Sequence, residues 1–323
     1  MTDLLGELPV CVLNPVAGGG FDRSRLEDAL ARALGRGRVR LVATERAGDA
    51  ERLTREALRG GATALISAGG DGTLHGVVNG LVLEQGSAPV GVIPLGTGND
   101  FVRSAGLPAD AESAIKGLAR AEVRPVDLIR VEIEAGTSGS RARVAVNACT
   151  GGLTGAVALD ASGGDKKRWG QLAYAKAAFD LLTGEPEPYE VRGRLDDDAL
   201  EGRVLVAVIA NGGRAGGGVP VAPGAEVDDR RLDAVLIRDA PISEVLAQLP
   251  RLVTGSADAA AGAGEPGTDP AVIHRRVRAV ELEAVSRAMP WSLDGEPTEA
   301  RRVRFRLEPG RLAVLAPRAG DSS

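Results

Sequence analysis

Four short apolar runs, "LPVCVLN", "VRLVAT", "ATALISA" and "APVGVIPLG", punctuate the first hundred residues. Three of them carry almost no polar side chain, so strands built from them must be buried on both faces. Between the runs the apolar residues change period. Leu26, Ala29, Leu30, Ala33 and Leu34 recur at helical spacing, as do Leu53, Ala57 and Leu58, and then Leu74, Val77, Val78, Leu81 and Val82. Strands apolar on both sides, alternating with amphipathic helices, make a parallel sheet covered by helices on both faces, a three-layer α/β domain.

Near residue 125 the rhythm changes. "VDLIRVEIE", "RARVAVNA", "YEVRGRL", "RVLVAVIAN", "LDAVLIR", "VRAVELEAV", "VRFRLE" and "LAVLAP" all read as strands, which predicts a β-sandwich. Two helices interrupt them, one near "KRWGQLAYAKAAFDLL" and one carrying Ile242, Val245, Leu246 and Leu249. The small, Gly/Pro-bearing stretch 254–271 reads as a surface loop. The predicted division is an α/β domain over 1–126 and a β-sandwich over 127–310.

Composition narrows the functional classes. With 323 residues there is room for two domains, and a net charge of −5 argues against a dedicated nucleic-acid binder. Cys11 and Cys149 sit in strand-like runs, which suits buried thiols in a reducing compartment better than a disulfide framework. The start "MTDLLGELPV" lacks the basic and apolar regions of a signal peptide, and no run approaches a membrane span. The expectation is a cytoplasmic protein that meets membranes, if at all, at their surface.

Glycine, at 44 residues, is in excess, and it concentrates where strands end. "NPVAGGG" (14–20), "AGGDGT" (68–73) and "PLGTGND" (94–100) each follow a strand and precede a helix. In a parallel sheet such loops gather at the carboxyl edge, where ligands bind, and glycines beside a helix start suit phosphate. None of them is a G-x-G-x-x-G fingerprint or a Walker A loop. Asp71 is the anomaly, because a carboxylate beside phosphate needs a cation or a proton transfer to be tolerated. The local alternative is that Asp71 and Thr73 cap the following helix.

Towards the end, "LDGEP" sets Asp294 and Glu296 on either side of Gly295, so two carboxylates can face one site. An ordinary Asp-Gly hairpin turn would use the same residues. Of the two histidines, His274 in "VIHRRVR" reads as structural, and His75 lies one turn into a helix.

The ordered set "NPVAGGG", "GGDGT", "PLGTGNDFVRSAGLP", "NACTGGLTGA", "KKRWGQLAY", "ANGGRAGGGVPVAPGAEVDD" and "WSLDGEP" resembles the diacylglycerol kinase catalytic domain, and more closely the bacterial soluble lipid kinases related to sphingosine kinases. The resemblance spans nearly the whole chain. It implies an active site in the cleft between the two domains, and a final strand, about 311–318, that returns to the first. It implies ATP held by Asn14, by Gly69, Gly70, Asp71, Gly72 and Thr73, and by the loop of Thr97 and Asn99, with Leu74 and His75 bordering the nucleotide and Thr44 near it. Asp71 would help place Mg²⁺ or assist proton removal. Glu296 would accept the proton of a lipid hydroxyl, with Asp294 as metal or hydrogen-bond support.

The same resemblance implies a structural Mg²⁺ on Asp229 and on the carbonyls of Glu226 and Arg231. Here the chain departs from the family, because Arg230 stands where glycine is usual, and an arginine is costly if that position needs a positive φ. Ala17 replaces a common serine and Leu153 a common aromatic residue. Lys166, Lys167 and Arg168 beside Trp169 suit an anionic membrane surface, where the lipid substrate would be met, or else a solvated helix start. The resemblance also admits a homodimer. Two other functions remain open: an NAD kinase-like activity on a soluble substrate, and a nucleotide- or lipid-binding regulator without turnover.

Overall fold

A computed structural model of the chain describes residues 4–18, 23–134, 140–160, 187–241, 243–245, 247 and 270–318. It divides into two compact units, Met1–Asp127 with Pro309–Ser323, and Leu128–Glu308.

The first unit follows the alternation of its sequence: β1 (Pro9–Leu13), α1 (Arg23–Leu34), β2 (Arg40–Ala43), α2 (Asp49–Arg59), β3 (Ala64–Gly69), α3 (Asp71–Leu83), β4 (Val90–Pro94), α4 (Asp100–Ser104) and α5 (Ala111–Leu118). The strands lie in the order β2-β1-β3-β4, all parallel, with Val10 opposite Arg40, Cys11 opposite Ile66 and Ile66 opposite Gly91. One face of the sheet, through Cys11, Leu13, Ile66 and Ile93, packs on Leu26 and Leu30 of α1 and on Ile115 and Leu118 of α5. Val10, Val12 and Leu65 alternate to the other face and are equally buried. There α2 and α3 lie against each other and against β1. The helix expected after "PLGTGND" is α4, whereas α5 is absent from the sequence reading. α5 is only 8 residues long, and it starts at Asp110, whose side chain accepts the Ser113 N–H at 2.9 Å.

The second unit is β-rich. Its elements are β5 (Glu122–Glu134), β6 (Ser140–Ala145), β7 (Ala148–Gly152), α6 (Leu153–Asp160), β8 (Tyr189–Leu195), β9 (Asp198–Ala210), β10 (Arg214–Ala215), β11 (Val219–Pro220), β12 (Leu232–Arg238), β13 (Val272–Val277), β14 (Ala279–Ala284), β15 (Met289–Leu293), β16 (Glu296–Ala300) and β17 (Arg302–Ala316). The main path is β16-β15-β7-β9-β8-β14-β17, antiparallel throughout, and β12 adds to β9 and β13. The end of β9 is buried on both sides. Ala207 and Ile209 face a core built around Trp291 and Phe305, whose ring centroids are 4.9 Å apart. Val206, Val208 and Ala210 face a second core with Val235, Val272 and Ala222. β5 begins and β17 ends in the first unit, where Val314 pairs in parallel with Val90 of β4 and Asp127 accepts the Gly310 N–H at 2.6 Å.

The predicted helix at "KRWGQLAYAKAAFDLL", the loop residues up to 269, and Ile242, Leu246 and Leu249 lie outside the described residues.

Candidate active site

Backbone hydrogen bonds stitch the carboxyl ends of the parallel strands together. Thr44 N–H donates to the Leu13 carbonyl at 2.8 Å, Asn14 N–H to Ala68 at 2.9 Å, and the Leu95 and Gly96 N–H groups to Gly69 at 2.9 and 3.2 Å. Thr44, Asn14, the 69–73 turn and the 95–99 loop are thereby brought to one edge of the sheet. The approach is close enough to require glycine at two points. A Cβ on Gly96 would lie 2.4 Å from the Gly70 Cα, and one on Gly18, at φ 59°, would lie 1.9 Å from the Leu95 carbonyl oxygen. Gly19 and Gly20 lie outside the described residues.

The N-cap of α3 is Gly70, so its N-cap residue offers no side-chain cap. The Asp71 carboxylate reaches the neighbouring turn, where Oδ1 accepts the Phe101 N–H of α4 at 3.2 Å. The start of α3 is the positive end of a helix dipole, a setting that favours an anion. Gly69, Gly70, Asp71, Leu74, Val92, Asn99 and Val102 border a shallow recess there. Asn99 adopts φ 51° and donates from Nδ2 to the Gly96 carbonyl at 2.7 Å, while Thr97 and Gly72 are exposed. Thr73 and His75 are buried in the first turns of α3. The donor chemistry of this edge fits a nucleotide phosphate.

Asp49 was not anticipated from the sequence. It opens α2, and its Oδ2 accepts the Glu45 and Arg46 N–H groups at 2.9 and 3.1 Å, pinning the loop that follows Thr44. The Glu45 N–H, and then Arg52 and the Arg46 N–H, hold its carboxyl at about 2. An Asp directly after Gly48, at the start of an apolar periodicity, is the sequence signal that could have found it.

In the β-rich unit, "LDGEP" forms a two-residue hairpin. Leu293 pairs with Glu296 across Asp294 (φ 50°) and Gly295 (φ 91°), and both positive φ values belong to a type I′ turn. The Asp-Gly hairpin is real, but the carboxylate does more than turn the chain. Asp294 Oδ2 accepts Val146 N–H at 2.7 Å, and Oδ1 accepts Asn147 and Ala148 N–H, each at 3.0 Å. Asn147 is itself buried. It donates from Nδ2 to the Arg214 carbonyl at 2.5 Å and accepts at its backbone carbonyl from Asn211 and Gly212 N–H. Asn211 Nδ2 closes the crossing on the Val146 carbonyl at 2.9 Å. Three segments (146–148, 211–214 and 294) are thus locked together beside the half-buried Glu296. Burial, reinforced by the Asp294 charge, pushes the Cys149 thiol well up, and burial alone pushes Cys11 to about 12. Both cysteines are free and buried, hence unreactive.

His274 is buried on β13, with Nε2 2.6 Å from Asp233 Oδ1. Asp229 precedes β12. Its Oδ1 accepts the Arg231 N–H at 2.9 Å, and its Oδ2 is in close contact with the Arg276 guanidinium. Burial, the largest influence, holds the Asp229 carboxyl above its ordinary range, against the pull of those donors. Arg230 has φ 63°, the left-handed conformation that glycine would adopt without strain. Glu226 is exposed, and no group of three or more His, Cys, Asp or Glu side chains among the described residues could hold a metal ion. The cation on Asp229 in this structure is the Arg276 guanidinium. Lys166, Lys167, Arg168 and Trp169 lie outside the described residues, among which no helix is long and apolar enough to cross a membrane.

Residues 9–131 match the family model of the diacylglycerol kinase catalytic domain, and residues 148–316 match that of the YegS C-terminal NAD kinase beta sandwich-like domain. A Pseudomonas aeruginosa protein described as "Probable lipid kinase YegS-like" is 34% identical over 300 residues, covering 92% of this chain and 91% of the relative. A Stenotrophomonas maltophilia protein with the same description is 33% identical over 312 residues, 95% of each chain. Among solved structures, a diacylglycerol kinase from Bacillus anthracis superposes with a TM-score of 0.67 at 20% identity, over 96% of this chain and 97% of that one. Yeast NADH kinase superposes with a TM-score of 0.52 at 10% identity, over 97% and 84%. These two likenesses establish the fold, an α/β unit with parallel strands followed by a β-rich unit. With both family models matched in order and full-length relatives at a third identity, the chain belongs to the YegS-like lipid kinases of the diacylglycerol kinase family.

Proposed function

We propose that this protein transfers the γ-phosphate of ATP to the hydroxyl of a lipid such as diacylglycerol. The observation that carries the reading is the glycine-capped start of α3, set among three stitched loops with Asp71 reaching α4. Asn14, Thr44, Gly69–Thr73, Thr97 and Asn99 would hold the nucleotide, with Leu74 and His75 at its border. When bound, Mg·ATP supplies the phosphoryl group with part of its charge neutralised. Asp71 supplies a carboxylate at that edge. Glu296 takes the proton from the acceptor hydroxyl, since a lipid alcohol is a poor nucleophile at neutral pH. Asp294 holds the turn that presents Glu296, through its three backbone hydrogen bonds. The acceptor would be collected at a membrane surface, for which Lys166, Lys167, Arg168 and Trp169 are suited.

The test is transfer of γ-labelled ATP into a total lipid extract, wild type beside Glu296→Gln, with nucleotide binding measured in parallel. A labelled lipid that falls by roughly 10²–10⁴ in the variant, with ATP binding retained, supports the reading. Label that appears only in soluble nucleotide would replace it by the NAD kinase-like activity.

A further inference from the structure

We propose that in this chain the Arg276 guanidinium takes the place of a bound divalent cation on Asp229, closing the segment before β12 by an ion pair and making the fold independent of metal. Both oxygens of the carboxylate are engaged by groups of the chain itself. Oδ1 holds the Arg231 N–H at 2.9 Å, and Oδ2 holds Arg276 from β13, 47 positions away in sequence. Magnesium needs about six oxygens at close to 2.0–2.1 Å in octahedral array. An ion on Oδ2 would have to displace the guanidinium or sit against a like charge.

Among the described residues, no group of three or more acidic side chains gathers there to offset that. Asp233 is buried on His274, and Glu226 and Asp228 are exposed. Arg230 and Arg231 add positive charge next in sequence, and Arg230 occupies its position at φ 63° in spite of the strain. The segment is nonetheless well anchored. Val227 and Ala222 are buried beneath it, and the Asp229–Arg276 pair ties it to β13. An internal cation supplies the neutralisation that an external one would otherwise have to supply. Because it is covalently part of the fold, it cannot be removed by a chelator.

The experiment is thermal unfolding of the full chain without nucleotide, in EDTA and in magnesium chloride. The wild-type midpoints should coincide. Arg276→Gln should unfold about 2–4 °C lower, because it leaves a carboxylate without its cation. Adding Asp229→Asn to that variant should restore most of the loss, and Arg276→Lys should lose less than Arg276→Gln. A wild-type midpoint that falls in EDTA and returns with magnesium would overturn the proposal. So would an Arg276→Gln variant that unfolds at the wild-type temperature. If that variant does not fold, the wild-type comparison decides alone.

Discussion

Asp71 accepts the backbone N–H of Phe101 at 3.2 Å, joining the start of α3 to the start of α4. This bond separates two roles that one carboxylate fills. Asp71→Asn keeps an oxygen that can accept from Phe101, so stability should change little while phosphoryl transfer falls by roughly 10²-fold or more. Asp71→Ala removes the acceptor as well and should cost about 1 kcal/mol of stability. Activity and denaturant unfolding, measured on both variants, check the separation.

Asp294 should behave differently from Glu296. Both of its oxygens accept backbone N–H groups, so Asp294→Asn turns a donor toward a donor at Val146 or at Asn147 and Ala148. The expected loss is about 1–3 kcal/mol together with activity, whereas Glu296→Gln should lose activity alone. Urea midpoints of the two variants, compared side by side, test this.

Gly96→Ala places a methyl group 2.4 Å from the Gly70 Cα. The two loops must separate, and ATP affinity should fall at least tenfold, about 1.4 kcal/mol. Calorimetric titration with nucleotide reads this directly.

Asp49 links stability to pH with a definite sign. Its folded pKa, about 2, lies below the ordinary 3.8, so its contribution is complete above 3.8 and is lost as pH falls towards 2. The stability difference between wild type and Asp49→Asn should be constant above that window and shrink within it. Unfolding curves across an acid series measure the convergence.

Arg230→Gly should stabilise the protein. Relief of a left-handed arginine is worth about 1 kcal/mol or slightly more, and the extra freedom of glycine in the unfolded chain offsets part of it. A raised thermal midpoint is the expected result.

The parallel half was legible because strands such as "PVCVL", "ALISAG" and "VGVIP" are buried on both faces and carry that fact in their composition. The glycine loops were legible for a similar local reason: close approach and positive φ demand one residue type. The short helix α5 was not, since 8 residues hold too few turns for a period to emerge. Nor were the partners of Asp294 and Asp229. Val146 and Arg276 lie 148 and 47 positions from them, and nothing near either aspartate in sequence marks the pairing. The Asp-Gly turn at 294 was visible as a turn, but its second use, as an anchor for Val146–Ala148, belongs to the folded sheet alone.

β17 runs unbroken from Arg302 to Ala316, and its far end supplies Val314 as a parallel neighbour of Val90. A ribosome delivers the first four strands of the α/β sheet well before that neighbour. During synthesis β4 must therefore wait, its outer edge unpaired, while the whole β-rich unit is made. A nascent chain arrested after residue 127 should consequently expose a sticky strand edge to chaperones, and one extended past β17 should not.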